Sequence, residues 1–190
     1  MTRTAIHPAP PEGIAASITC IGAFDGVHRG HQALIGQAVA AGRASGVPVV
    51  AWTFDPPPKV FFGRAPPLMS PVEKVARLAE LGVDHIILSR FDDAFRAQTA
   101  EDFLALLARL NPVEVRVGDD FRFGARQSGD VTLLAQHFTV HLLDPVHCEK
   151  GDRISSSRIR QAWSEGDLET CRDLIGWSDY YIHPEYETPF

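Results

Sequence analysis

The chain has 190 residues, 45% of them hydrophobic, and a formal net charge of -6. That length and apolar content suit one well-cored domain and fall short of two full ones. An acidic balance excludes bulk binding to nucleic acid or to an anionic membrane, so any phosphate site must be local and built by geometry.

Residues 1–16, with Pro8, Pro10, Pro11 and Gly13, read as an irregular lead-in. Ile18-Thr19-Cys20-Ile21 then has the β-branched, apolar character of a short buried strand. Gly22 and Gly26 mark a turn, and Ala33, Leu34 and Ile35 begin the apolar face of a helix. That helix is predicted from about Gly30 to Ser45, with Gly46 stopping it. His28 and His31 are three residues apart, which on a helix is one turn apart on one face. They stand where backbone N–H groups are unpaired and the helix dipole is positive, a place that suits an anion. Gly30 between them reads as a gap through which a ligand reaches the backbone. A His-x-x-His alone is more often a surface pair. Here it follows a strand and a glycine turn, so the reading shifts to imidazoles that hydrogen-bond phosphate oxygens. Zinc ranks low, because no third ligand lies nearby in sequence.

Val47 to Phe54 is the second strand, which makes a right-handed strand–helix–strand unit with parallel strands. Asp55-Pro56-Pro57-Pro58-Lys59 is expected to be irregular and stiff, at a strand's carboxyl end where open α/β sheets bind ligands. Val60, Phe61 and Phe62 follow; they read equally well as buried connector and as the wall of a flat apolar pocket. Lys59, Arg64 and Arg126 could steer a ligand's phosphate, and a solvated role ranks above that for each. Ser70 and Glu73 form a capping box for a helix to about Leu81, ended by Gly82. His85–Leu88 is the third strand, Thr99 caps a helix over 100–110, and Val113–Val117 is the fourth strand.

Gly118-Asp119-Asp120-Phe121-Arg122-Phe123-Gly124 again lies at a strand's carboxyl end. It could meet a base, a ribose or an aromatic ring, or be a loop over buried phenylalanines. A helix near 129–137 and a fifth strand, Val140–Leu143, come next. In Arg153-Ile154-Ser155-Ser156-Ser157-Arg158-Ile159-Arg160, serines at a helix start would ordinarily just cap it. A run of them flanked by Arg153 and Arg160 suggests a second phosphate cradle. Gly166-Asp167 opens a last helix to Ile175, closed by Gly176. Strands alternating with helices give an α/β class, a doubly wound parallel sheet of Rossmann-like kind. Cys20, Cys148 and Cys171 form no C-x-x-C pair, which argues against a disulfide framework and for a reducing cytoplasm. The first residues show no secretory h-region, and no stretch approaches a membrane span.

GAFDGVHRGHQALI resembles the H-x-G-H nucleotidyltransferases. More narrowly, it is similar to the opening motif of the prokaryotic FAD synthetases, the FMN adenylyltransferase module of the bifunctional riboflavin kinase/FMN adenylyltransferases. VGDDFRFG with the following Ser128-Gly129-Asp130 resembles that family's second motif, and RISSSRIR its third. The motifs run in order across residues 18–176. Two departures stand out. Pro57 occupies a place where the family often has histidine, and after the last helix the sequence reads GWSDYYIHPEYETPF with no room for a kinase barrel. The expected organisation is therefore a lead-in (1–16), a nucleotidyltransferase domain (17–176), a tail (177–190) and no riboflavin kinase domain.

The resemblance implies FAD synthesis: FMN phosphate attacks the α-phosphorus of ATP and pyrophosphate leaves. It implies that His28 and His31 hold the reacting phosphates. Ser156 and Arg160, with Arg153 and Ser157, would grip the β- and γ-phosphates. Gly22, Phe24 and Gly30 would line the ATP side, Asp120 would lie near the nucleotide–flavin junction, and Pro56, Pro58, Phe62 and Phe123 would shape the flavin side. Mg2+ is expected on the triphosphate, held by phosphate and water oxygens, with no protein metal site. The expected partners are small molecules, ATP and FMN, and neither nucleic acid nor membrane; the oligomeric state is open. Two other readings stay open: a nucleotidyltransferase of the same superfamily with another phosphorylated acceptor, and a non-catalytic flavin or nucleotide sensor.

Overall fold

The computed structural model of the protein describes residues 4–178. One parallel sheet carries the domain. Its strands are β1 (Ala5–His7), β2 (Ser17–Ile21), β3 (Val49–Asp55), β4 (His85–Arg90), β5 (Pro112–Gly118) and, after a small antiparallel pair β6 (Arg122–Phe123) and β7 (Gly129–Asp130), β8 (Val140–Leu143). The order across the sheet is β1-β4-β3-β2-β5-β8, and every neighbouring pair is parallel. From β2 the chain winds outward through β3 and β4, then returns to the other side of β2 for β5 and β8. The crevice between the carboxyl ends of β2 and β5 is therefore the topological switch point, where such sheets take their ligands.

The helices are α1 (Arg29–Ser45), α2 (Pro58–Phe61), α3 (Pro71–Glu80), α4 (Asp93–Arg96), α5 (Ala100–Ala108), α6 (Val131–His137), α7 (Ser156–Ser164) and α8 (Leu168–Ile175). The central strands are buried on both faces, and their period of two sorts side chains into separate layers. Val50, Trp52 and Phe54 of β3 join Phe103 and Leu107 of α5 on one face. Val49 and Ala51 join Ile35 and Ala38 of α1 and Leu78 of α3 on the other. Trp52 stacks on Phe103 with ring centroids 4.9 Å apart. A third cluster, with Leu68, Ile154, Ile159 and Leu174, seats α7 and α8.

Local signals place the helix ends. Ser70 and Glu73 make the expected capping box, and so do Thr99 and Asp102. Gly46 and Gly176 close α1 and α8 in the left-handed conformation. Three stretches differ from the sequence expectation. Residues 5–7 of the lead-in are not irregular: they add an edge strand, with Ala5 N–H donating to Asp84 O at 2.9 Å. So short a strand, with Ile6 exposed, has no apolar run to announce it. The proline stretch is not wholly irregular either, since Pro58 opens the one-turn α2 at a position that needs no N–H. Gly129 and Asp130 lie in a strand rather than in α6, and Asp130 caps that helix. The tail beyond Ser178 lies outside the described residues. All three cysteines are free and buried, and burial pushes the Cys20 thiol up to about 12. No helix among the described residues is long and apolar enough to cross a membrane.

Candidate active site

The turn after β2 builds one half of the site. Gly22 continues the sheet pairing, donating its N–H to Trp52 O at 3.1 Å. A Cβ on Gly22 would stand 2.9 Å from the Phe24 ring, so only glycine leaves that ring its place. Phe24 and Val27 both adopt positive φ, 45° and 36°, and both side chains are fully buried. For a β-branched residue such as Val27 that is strained backbone, and it falls immediately before His28.

His28 is the N-cap of α1, and its ring nitrogen Nδ1 accepts from His31 N–H at 3.4 Å. With Nδ1 an acceptor, the proton of the neutral ring sits on Nε2, as a donor. The two imidazoles stack, centroids 3.6 Å apart and 17° between planes. The Phe24 ring meets His31 edge-on at 5.3 Å. Burial holds the His28 imidazole down to about 4, with the positive charges of Arg153 and Arg160 adding to the effect. Burial also holds His31 well below the usual histidine range, with His28 and Lys74 contributing. Both rings are neutral at physiological pH. His31 Nδ1 is buried with no hydrogen-bond partner.

Gly30 serves a different purpose from the one its place suggests. A Cβ there would come within 3.2 Å of the His28 ring, so its space belongs to that imidazole rather than to a ligand. Phe24 is likewise a buried support under His31, and only its backbone is left for a ligand.

The serine segment supplies the other half and meets the first directly. Ser155 caps α7, accepting from Arg158 N–H at 3.3 Å. Ser156 Oγ donates to Asp25 O at 2.9 Å, which ties the start of α7 to the histidine turn. Ser157 Oγ accepts from Lys59 Nζ at 3.0 Å, an exposed contact that reaches across from the proline stretch. Arg153 is exposed and pairs with Asp119 at 2.7 Å, while Asp120 stands 4.0 Å away. It thereby links the α7 lead-in to the end of β5 across the switch point. Asp119, rather than Asp120, is the closer carboxylate.

Arg160 has an occupation that its sequence position does not reveal. Its guanidinium forms a buried ion pair with Asp25 and donates from Nε to Pro66 O at 2.8 Å. Leu68 N–H donates to the same carboxylate at 3.0 Å. Burial pushes the Asp25 carboxyl up, and Arg160, the Leu68 N–H and Lys74 pull against that. Both carboxylate oxygens are engaged, so Asp25 is no open metal ligand. Among the described residues no group of three or more His, Cys, Asp or Glu could hold a metal ion.

Two further features were not legible as site elements. Lys74 of α3 lies buried beneath the histidine turn. The C-terminal part of the described chain also clamps that turn: Val27 O accepts from Trp177 Nε1, just past α8, at 3.0 Å and from Gln32 Nε2 of α1 at 2.8 Å, and Arg29 pairs with Asp173 of α8 at 2.7 Å.

An aromatic cavity of about 300 Å³ opens along the same carboxyl edge of the sheet. Pro58, Phe62 and Phe123 line it, with Phe54, Phe91 and Phe121; the exposed Arg64 and Arg126 stand in its wall. Pro56 is not among its lining residues. Phe121 and Phe123 stack at 5.6 Å, which gives the cavity a flat side.

The fold and the switch-point site define an α/β protein built on a doubly wound parallel sheet. The chain belongs to the FAD synthetase family, whose pattern matches residues 11–158. It is 46% identical over 164 residues to a Geobacillus thermodenitrificans protein provisionally named bifunctional riboflavin kinase/FMN adenylyltransferase, covering 86% of this chain and 92% of that one. It is 40% identical over 180 residues to the Escherichia coli bifunctional riboflavin kinase/FMN adenylyltransferase, covering 90% of this chain and 56% of that one. The chain thus spans about half the length of the Escherichia coli relative. Among solved structures, a Streptococcus pneumoniae protein described as a macrolide-efflux protein superposes with a TM-score of 0.80 at 30% identity, covering 93% of this chain and 62% of that one. A Francisella tularensis pantoate-beta-alanine ligase shares the fold, with a TM-score of 0.57 at 14% identity and coverage of 94% and 80%.

Proposed function

We propose that residues 17–176 form an FMN adenylyltransferase module that transfers AMP from ATP to FMN, releasing pyrophosphate and giving FAD. The observation that carries this reading is the meeting of two helix starts at the switch point, α1 with its stacked histidines and α7 with its serines, joined by Ser156 Oγ on Asp25 O at 2.9 Å. The aromatic cavity beside them supplies what a phosphate site alone would lack, a slot for the flavin ring.

An FMN phosphate oxygen attacks the α-phosphorus of ATP, the bond to the bridging β-oxygen breaks, and pyrophosphate carries the electron pair away. No protein nucleophile is required, so the chain acts by positioning and by hydrogen bonds to growing charge. His28 Nε2–H and the His31 ring donate to the α-phosphate region. The unpaired N–H groups at the start of α1 and α7 add donors. Arg153 and Ser157 are the exposed members of the serine segment and face the leaving pyrophosphate. Arg160 acts at one remove, by fixing Asp25 and so the turn. Gly22, Gly30 and Phe24 give the turn its shape, and Asp120 sits beside Arg153 toward the acceptor. Pro58, Phe62 and Phe123 hold the flavin ring, and Pro56 sets the path of the chain into that wall. Magnesium, when bound, neutralises triphosphate charge. The engaged oxygens of Asp25 fit an ion that rides on phosphate and water oxygens rather than in a protein cage. The setting proposed is the cytoplasm.

Incubating the protein with MgATP and FMN and measuring FAD and pyrophosphate tests this. Equal amounts of both products are expected. Turnover only with another phosphorylated acceptor would favour a sister nucleotidyltransferase, and binding without turnover a sensor.

A further inference from the structure

Lys74 is a buried cation that the proposed chemistry leaves unused. It is 1% exposed, on the inner face of α3, one helical turn from the core residue Leu78. An apolar side chain would fill that place at lower cost, because a buried ammonium must repay its lost hydration. Its contacts go to the turn after β2 and to the carboxyl end of β3. Nζ donates to Phe54 O at 2.6 Å and to Ala23 O at 3.3 Å.

Those carbonyls belong to the histidine turn and to the wall of the aromatic cavity. Ala23 immediately precedes Phe24, whose strained backbone carries the ring under His31. Phe54 is the last residue but one of β3, with its ring in the aromatic cavity. Thr53 Oγ1 also donates to Ala23 O at 2.9 Å, so the same carbonyl is gripped from two sides. The geometry points to Lys74 as a positioning residue that fixes the histidine turn relative to the flavin-side wall, so that attacking and receiving phosphates meet at the right distance. This inference rests on the adenylyl-transfer reading above.

The groups facing the ammonium are Asp25 of the histidine turn, Asp55 at the end of β3, and the His31 ring of α1; Arg160 of α7 is paired to the same Asp25. Burial holds the Lys74 ammonium down to about 8, with Asp25 and Asp55 opposing. Raising the pH through that value weakens a charge-assisted grip on both carbonyls.

The test compares the unaltered chain with Lys74→Met. Lys74→Met takes the ammonium donor from two carbonyls, so the expected variant melts lower than the unaltered chain while staying folded at the assay temperature. Its kcat for FAD formation falls by roughly tenfold or more, the scale of a small misalignment, while KM for FMN changes little. The unaltered chain loses kcat above about pH 8 while its melting temperature does not fall, because a lysine that titrates lower folded than unfolded adds stability as the pH rises, and the variant lacks that alkaline limb. Unchanged kcat in the variant overturns the proposal. If Lys74→Met does not fold, the pH–kcat profile of the unaltered chain decides: the limb supports the role and a flat profile overturns it. FMN affinity, read by quenching of flavin fluorescence, is measured alongside. If the unaltered chain makes no FAD, the adenylyl-transfer reading fails and Lys74 falls with it; FAD formation that Lys74→Met leaves intact sinks the Lys74 role alone.

Discussion

Replacing Asp25 by asparagine decides whether Arg160 is a strut or a free phosphate grip. The two side chains are 5% and 12% exposed, so their charges meet largely out of water. Removing one partner of such a pair leaves an uncompensated buried charge and costs about 3–5 kcal/mol. For a chain of this size each kcal/mol moves the melting temperature by roughly 2–4 °C, so a drop of roughly 6–20 °C is expected. The two single variants should differ in a telling way. Arginine cannot shed its proton, so in Asp25→Asn the buried guanidinium stays charged and unpaired at both pH values. In Arg160→Met the Asp25 carboxyl, already pushed up by burial, takes a proton instead. The folded state then binds more protons than the unfolded one, and the deficit grows as pH rises from about 5 to 8. The double variant should recover part of the loss. Urea titrations of the four proteins at both pH values provide the measurement. An Asp25→Asn cost below about 1 kcal/mol, the range of exposed pairs, refutes the argument and frees Arg160 for direct phosphate contact.

Acid should unfold the protein partly through His28. Its folded value of about 4 lies below the unfolded value of about 6.5. The unfolded chain therefore binds more protons in that window, and stability falls as pH drops through it, by about 2 kcal/mol between pH 7.5 and 5. His28→Gln should remove that much of the slope in denaturant titrations, and an unchanged slope would show that the ring is not buried neutral. Gly30→Ala should fold, since alanine favours a helix by up to about 1 kcal/mol. The added methyl pushes on the His28 ring, so kcat should fall about tenfold while melting temperature holds; an unchanged kcat would mean that the ring gives way at no cost.

Much of the sheet and most helix ends were legible because the determinants are local. Buried runs such as Val49–Phe54, the capping boxes at Ser70 and Thr99, and Gly46 and Gly176 each signal within a few residues. The edge strand at Ala5–His7 and the small pair β6–β7 were not legible, because strands of two or three residues lack any periodicity. In the site, the histidine and serine helix starts could be read from spacing. What those residues do to one another could not. Gly30 is a glycine because the His28 ring folds back over it, a fact of side-chain conformation. Arg160 finds Asp25 from 135 positions away, a pairing that no local pattern records. Lys59 is exposed, and only the fold brings Ser157 within 3.0 Å of its ammonium. Lys74 did leave a trace: it sits four residues from Leu78, on the face of α3 that its apolar neighbours mark as inward.

The account holds that the stacked imidazoles at the start of α1 stabilise charge during adenylyl transfer rather than bind the flavin. The direct measurement is kcat for FAD formation from MgATP and FMN in the unaltered chain and in His28→Ala and His31→Ala. The account predicts FAD and pyrophosphate from the unaltered chain, and a loss of roughly two to three orders of magnitude in each variant with FMN affinity unchanged. Normal rates in both variants, or no FAD from the unaltered chain, would contradict it.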